Sequence, residues 1–509
     1  MKLIPIIGLE VHVRLKTKTK MFSDCPAVDD AAPPNTAICP VSTGQPGALP
    51  SINAEAVRLG VRAGLALGCR IPDEAHFDRK NYFYPDLPKG YQISQFDHPI
   101  AVNGAVQVEV PGQEPPRDSI HVGITRAHLE EDAAKNIHDA ATGSTLVDYN
   151  RAGVPLLEIV TEPDLRSPAE AKALLQELQA ILRTIGASDA DMEKGYMRCD
   201  ANVSLLEIGE DNKPLKAEYN PKTEVKNLNS FKAVERALAF EIERHRALME
   251  AGHVPEHATR GWDEHKGQTF EQRTKESSAD YRYFPEPDLP PLDLTKMREE
   301  ESSKLPPLPA QRRAALMQDY GFSTEDARFF VANGWTDYAE AVMGELAGWI
   351  ESADDTQKAG GRILEEQKQK WGRLAGGWLT SKLAGLLTAE GKTIDDVKIT
   401  PENFAEFLLM LDKGTVNSAN GQKLLALMLE TGTDPSQLLE QHHLGQMNDA
   451  NELARIIETV LRQNPDQVEQ IRTGKVALVK WFVGVVMKST EGRANPEMAE
   501  REIRRQLGL

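Results

Sequence analysis

A run of prolines and charges from Pro285 to Pro309, opening with P-E-P-D-L-P-P-L and closing with K-L-P-P-L-P, divides this chain into two parts of different periodicity. Proline fixes φ and removes a backbone donor, so neither a helix interior nor a central strand passes through such a stretch, and it marks a boundary. Before it, short apolar or period-two runs alternate with a few helical ones among Gly and Pro punctuation, a mixed α and β pattern. After it almost everything reads as helix. Glu402 to Leu411 and Glu452 to Leu461 place apolar residues three and four apart, as small bundles require. The expected fold class is α+β, a mixed-sheet domain followed by all-α domains, with a second boundary between 400 and 412. At 509 residues the chain is too long for one ordinary core. One helix in the first part carries its own signals: Ser167 can cap, Pro168 suits the first turn, Glu170 completes a capping box, Leu174, Leu178, Ile181 and Leu182 recur at helical spacing, and Gly186 ends it.

Apolar residues make up 40% and charged residues 27%, shares that support several cores and argue against disorder. No apolar run approaches the roughly 18 residues that span a bilayer, and the start lacks a signal peptide's apolar stretch. Four cysteines, Cys25, Cys39, Cys69 and Cys199, fall short of a disulfide framework. A reducing, cytoplasmic location is expected, with neither membrane nor DNA as partner. The net charge of -18 argues against nonspecific coating of nucleic acid. Residues 411–509, however, carry only -1 of it. Lys475, Lys480, Lys488, Arg493, Arg501, Arg504 and Arg505 crowd toward the end, where a basic face for RNA and a solvated helix surface are both open.

Chemistry is expected in the first part. In Ile6 to Leu15 a period of two puts Glu10, His12 and Arg14 on one face and Leu9, Val11, Val13 and Leu15 on the other. Met197 to Leu205 repeats the design with Arg198, Asp200, Asn202 and Ser204. Pro155 to Glu162 sets Glu158 and Glu162 on one side of an apolar run, shortly after Arg151 and Gly153. Converging carboxylates with nearby Lys and Arg suit a hard cation and phosphoryl transfer. For any one strand alone a solvated polar face is the commoner outcome; three such strands tilt the balance. H-L-E-E-D-A-A-K at His128 to Lys135 also reads two ways, as a metal-binding acid cluster or as a surface helix with Glu131 and Lys135 paired at i,i+4. Neither a G-x-x-x-x-G-K-[ST] nor a G-x-G-x-x-G opening a helix is present, so any ATP site is non-standard.

Long motifs run the length of the chain: I-G-L-E-V-H at Ile7, F-D-R-K-N-Y-F-Y-P-D-L-P-K-G-Y-Q-I-S-Q at Phe77, H-L-E-E-D at His128, D-Y-N-R-A-G-V-P-L-L-E-I-V-T-E-P-D at Asp148, R-C-D-A-N-V-S at Arg198, E-V-K-N-L-N-S-F at Glu224, T-R-G-W-D-E at Thr259 and D-Y-R-Y-F-P-E-P-D at Asp280. With W-L-T at Trp378 and the run ending at Pro496, they resemble the B subunits of aspartyl/glutamyl-tRNA amidotransferases. The resemblance implies a catalytic cradle over 1–292, a helical domain over 293–405 and a tRNA-binding tail over 406–509. It also implies a ligase: ATP phosphorylates the side-chain carboxylate of Glu-tRNA(Gln) or Asp-tRNA(Asn), and ammonia then displaces the phosphate. Glutamine hydrolysed in an amidase-type A subunit would supply the ammonia, and a small C subunit would complete a heterotrimer. Carried over by motif, Glu10, His12, Glu131, Glu158 and Asp200 form the Mg²⁺ and aminoacyl-end site, with Glu10, His12, Glu131 and Asp200 as metal ligands. Arg79, Lys80, Lys89, Arg151, Lys226, Arg273 and Arg282 are cations for ATP phosphates or a developing phosphoanhydride, or else structural ion pairs. Tyr82, Tyr84 and Tyr91 either stack on the terminal adenosine or pack.

Many relatives carry a C-x-C and a C-x-x-C, four thiolates with zinc-ribbon spacing. Here Ser23 and Ser42 stand beside Cys25 and Cys39, so no structural zinc is expected. Two other functions compete. A small-molecule carboxylate kinase would turn over ATP with a free amino acid and leave the helical tail without a role. A non-catalytic tRNA scaffold would keep activity when the acids at 10, 131 and 200 are replaced.

Overall fold

The computed structural model describes residues 2–509 apart from 30, 140, 212, 217, 275–280, 354–359, 446–449 and 491, and the side chains of 227, 273, 274, 351–353, 360–366 and 450 also lie outside the description. Two compact units result, Met1–Pro309 and Ala310–Leu509. In chain order the first comprises β1 (Lys2–Arg14), α1 (Ala54–Ala66), β2 (Glu74–Ala75), β3 (Asp78–Asn81), β4 (Tyr91–Ser94), β5 (Ala101–Glu109), β6 (Ser119–Glu131), β7 (Lys135–Asp139), β8 (Ser144–Asp148), β9 (Pro155–Thr161), α2 (Pro168–Thr184), β10 (Met197–Ile208), β11 (Thr223–Leu228), α3 (Phe231–Glu250), β12 (Ala258–Asp263), β13 (Gln268–Thr274), β14 (Phe284–Pro285), β15 (Leu292–Asp293) and α4 (Thr295–Ser302).

Eight strands form one sheet in the order β13-β12-β11-β10-β1-β9-β6-β5. Its neighbours run antiparallel except β11 and β12, which are parallel and joined through α3. The period of two in β1 becomes a two-sided strand. Ile7, Leu9, Val11 and Val13 are buried, while Glu10, His12 and Arg14 face the more open side. Helices α1, α2 and α3 cover the apolar face. Gly64 allows α1 to lie flat on β5, because a Cβ there would come within 2.6 Å of the Ala101 Cβ. Each large aliphatic side chain buried in this layer contributes about 1.5–3 kcal/mol.

Ser167 caps α2 as expected, accepting from the Glu170 N–H at 3.2 Å. Glu170 does not turn back on Ser167 to complete a capping box. Its carboxylate accepts from the Arg166 N–H at 2.6 Å and pairs with Arg117, because the incoming segment brings a cation and an earlier amide nearer. The segment His128 to Lys135 is not a helix. It continues β6 to Glu131 and enters β7 at Lys135, so the i,i+4 pair of Glu131 and Lys135 does not exist.

Beneath β11 to β13, α3 buries a polar network. Glu241 and His245 are fully buried, His245 Nε2 lies 2.8 Å from Thr223 Oγ1, and Arg260 Nε lies 3.2 Å from Glu241 Oε1. Burial, helped by the neighbouring Arg244, lowers the His245 pKa to about 4.

In the second unit the helices Pro401–Asp412 and Ala450–Gln463 stand where the apolar spacing placed them. One apolar cluster spans Leu316 to Leu444, and another spans Leu453 to Ile503. Phe404, Phe407 and Leu408 all belong to the first cluster, so its core runs on through position 405. In the last helix Arg504 pairs with Glu500 at 2.8 Å and Arg505 with Glu502 at 2.7 Å. No helix among the described residues is long and apolar enough to cross a membrane. The architecture is α+β with helical C-terminal parts, as the sequence implied.

His245 sets a pH dependence. The unfolded chain takes up its proton near 6.5 and the folded chain only near 4, so stability present above pH 6.5 is lost as pH falls toward 4, by on the order of 3 kcal/mol. His245→Gln, which keeps a hydrogen-bonding group for Thr223, is expected to flatten that part of the denaturation-midpoint profile. An unchanged profile would remove His245 as its cause.

Candidate functional site

Register across four central strands lays two rows of side chains on the open face. Arg126 of β6 stands opposite Val160 of β9, Val160 opposite Glu10 of β1, and Glu10 opposite Asp200 of β10. Two residues along, His128, Glu158, His12 and Arg198 align in the same way. Directly opposed residues lie close enough for their side chains to interact. His12 Nε2 is 3.4 Å from Glu158 Oε2 and 3.6 Å from Glu130 Oε1, and His128 Nε2 is 3.1 Å from the same Glu158 oxygen. Glu130, Glu158 and His128 are buried, whereas the His12 side chain is 25% exposed, so this floor opens at His12.

The charges are mutually supporting. Burial opposes a proton on His12, but hydrogen bonding to Glu158 and the fields of Glu158, Glu130 and Asp200 outweigh it and raise the pKa to about 9. Burial likewise opposes the Glu158 charge, while His128 and His12 hold this carboxyl well below its ordinary range. Among the described residues, His12, Glu130 and Glu158 offer donor atoms that all lie within 4.8 Å of one another. Two carboxylates and one imidazole fit a hard divalent cation that keeps water or phosphate oxygens in its remaining positions.

Over the floor lies a three-stranded sheet, β14-β3-β4, which carries Lys80. Burial disfavours the Lys80 charge, yet Glu130, Tyr283 and Glu158 hold its pKa above the ordinary lysine value. Its Nζ lies 5.1 Å from the Tyr281 ring centroid. Tyr283 stacks on Phe96 at 4.2 Å. Burial pushes its phenol up, with Lys80 and Arg126 pulling the other way. A cavity of about 300 Å³ adjoins Glu10, lined by Gly8, Val160, Pro163 and Asn202.

The expected ligands Glu10, His12, Glu131 and Asp200 do not assemble together. Glu131 is one residue beyond Glu130, and its carboxylate is taken by Lys89 and by the Ile93 N–H at 3.0 Å. Glu10 accepts from Asn202 Nδ2 at 3.0 Å. Asp200 pairs with Lys226, which also reaches Glu224 at 3.1 Å. Arg79 forms a two-pronged pair with Glu286 at 2.7 and 2.8 Å and lies 4.3 Å over the Tyr91 ring, so both are structural here. Arg151 donates to the Ala133 and Ala134 carbonyls at 3.0 and 2.9 Å. Arg282 is exposed, and its carbonyl accepts from Asn81 at 2.8 Å. Tyr82 packs edge-on to Tyr281 at 6.0 Å, while Tyr84 is exposed. The Arg273 side chain lies outside the described residues.

Sequence reasoning missed Arg126, His128, Glu130 and Tyr283. A strand reading of Arg126 to Glu131 would have found the first three, because a period of two places them on one face. The loop holding Cys39 stands behind the site. The Cys39 thiol lies 3.4 Å from both Ser23 Oγ and Ser42 Oγ, and the buried Lys20 donates to the Ala37 carbonyl at 2.7 Å. Gly44, at φ +66°, fits against the Lys89 backbone, where a Cβ would meet the amide nitrogen at 2.9 Å.

Residues 5–300 match the family model for the GatB/GatE catalytic domain, and residues 362–507 match the GatB domain. The chain therefore belongs to the GatB family. Its relatives include the B subunit of the aspartyl/glutamyl-tRNA(Asn/Gln) amidotransferase from Thermotoga maritima, 42% identical over 100% of this chain and 99% of the relative, and that from Thermomicrobium roseum, 43% identical over 97% of each. A third, from Moorella thermoacetica, is 42% identical over 99% of both chains.

The pairing of Arg79 with fully buried Glu286 predicts its own cost. Arg79→Met should lower stability by about 3–5 kcal/mol in denaturant titrations, and Glu286→Leu in the same chain should recover most of it. A single variant as stable as the native protein would free Arg79 for a phosphate role.

Proposed function

We propose that this chain is the activating subunit of a tRNA-dependent amidotransferase, a ligase that forms a carbon–nitrogen bond with glutamine as amido donor. The substrates are ATP and misacylated Glu-tRNA(Gln) or Asp-tRNA(Asn), and the products are Gln-tRNA(Gln) or Asn-tRNA(Asn). The observation that carries this reading is the His12, Glu130 and Glu158 cluster on an open sheet face beneath Lys80, in a chain whose full-length relatives bear that name.

The side-chain carboxylate of the aminoacyl group attacks the γ-phosphorus of ATP, the bond to the β,γ-bridging oxygen breaks, and ADP leaves. Ammonia then attacks the activated carbonyl and inorganic phosphate departs, leaving the amide. His12, Glu130 and Glu158 would hold Mg²⁺, which supplies neutralisation of phosphate charge. His128 steadies Glu158 through its 3.1 Å contact, and Lys80 places a fixed positive charge over the floor. The buried back of the sheet keeps water from Glu158 on that side. An amidase-type A subunit would release the ammonia and a small C subunit would complete the heterotrimer, in the cytoplasm.

The test is amidation of Glu-tRNA(Gln) by the co-purified heterotrimer, native against Glu158→Gln. Loss of amidation and of tRNA-dependent ATP cleavage is expected, with glutaminase activity and tRNA binding kept. Turnover at the native rate would make the chain a tRNA-binding scaffold.

A further inference from the structure

The cations on the open face are nearly all spoken for. Lys226 is held by Asp200 and Glu224, Arg198 by Asp132 at 3.0 Å, and Arg14 by the Val28 carbonyl at 2.8 Å. Arg126 is different. Its Nε is buried without a hydrogen-bond partner, and among the described residues no ion pair reaches its guanidinium. A buried, unmatched arginine donor is unfavourable in a folded chain and persists where a ligand completes it.

Position identifies the ligand. Arg126 heads the row that continues through Val160 to Glu10 and Asp200, and it stands two residues from His128 on the same strand and face. Tyr283 lies within the electrostatic reach of both Arg126 and Lys80, so the two cations border one space above Glu130 and Glu158. A planar guanidinium presents paired donors that match the oxygens of a phosphoryl group, which an ammonium cannot reproduce.

We propose that Arg126 receives the phosphoryl group in transit from ATP to the substrate carboxylate, donating to its non-bridging oxygens opposite Lys80. The role rests on the activating-subunit reading above. Arg126 exchanges no proton in the step: the carboxylate–phosphorus bond forms, the bond to the bridging oxygen of ADP breaks, and the guanidinium neutralises charge on the oxygens between them.

The experiment measures misacylated-tRNA-dependent ATP cleavage by the heterotrimer carrying native chain, Arg126→Ala or Arg126→Lys. If the native heterotrimer cleaves no ATP, the activating reading itself fails. Given native cleavage, Arg126→Ala should lower kcat about 10²–10³-fold with tRNA affinity and glutaminase activity unchanged, and added guanidinium ion should restore part of the rate. Arg126→Lys, which keeps charge and bulk, should remain well below native because it lacks the fork. A native kcat in either variant, a loss confined to tRNA affinity, or no response to guanidinium in a folded Ala variant would overturn the assignment.

Discussion

Everything at the site depends on the register of β1 between β9 and β10. Pairing His12 with Glu158 and Glu10 with Asp200 places each polar row at one height across the sheet. A slip of one residue would turn Glu10 and His12 into the helical layer and bring Leu9 and Val11 out. The apolar face of β1 enforces the register, since four of its side chains are almost wholly buried beneath the helices. Burial of the back and chemistry of the front are thus two results of one alternation. The cluster also holds itself together: two histidines share one oxygen of Glu158, and Glu130 supports His12 from the next position.

Much of this is legible in the sequence because β1, β9 and β10 carry a clean period of two. The alternation by itself locates Glu10, His12, Glu158 and Asp200 on strand faces that the structure then joins. The same rule is obscured at His128 to Lys135, where acids at helical spacing suggest a surface helix. The stretch is in fact the end of a long strand, and strand parity exchanges Glu130 for Glu131. Adjacent glutamates look alike in a motif, but on a strand they belong to opposite faces. The cations are less legible still. A sequence gives the number of arginines and not their partners, and Arg79, Arg151 and Lys89 have partners from segments distant in the chain.

The pairs that remove those cations from the floor have a structural role of their own. Arg79 and Glu286 tie β3 to the segment after β14, and Lys89 with Glu131 ties the loop before β4 to the end of β6. They hold the small sheet, and Lys80 with it, over the floor. The Cys39 loop adds support from behind through Gly44, whose missing side chain lets it lie against Lys89. A positive charge positioned before substrate arrives requires no reorganisation during the reaction.

The choice of Glu130 over Glu131 as the metal-binding acid is open to direct measurement. Mn²⁺ binding to the heterotrimer can be followed by loss of the free-ion resonance, comparing Glu130→Gln with Glu131→Gln. Glu130→Gln is expected to lose the ion that the native heterotrimer binds, and Glu131→Gln to keep it while losing stability with its Lys89 pair. Ion binding retained in Glu130→Gln and lost in a folded Glu131→Gln would contradict the site.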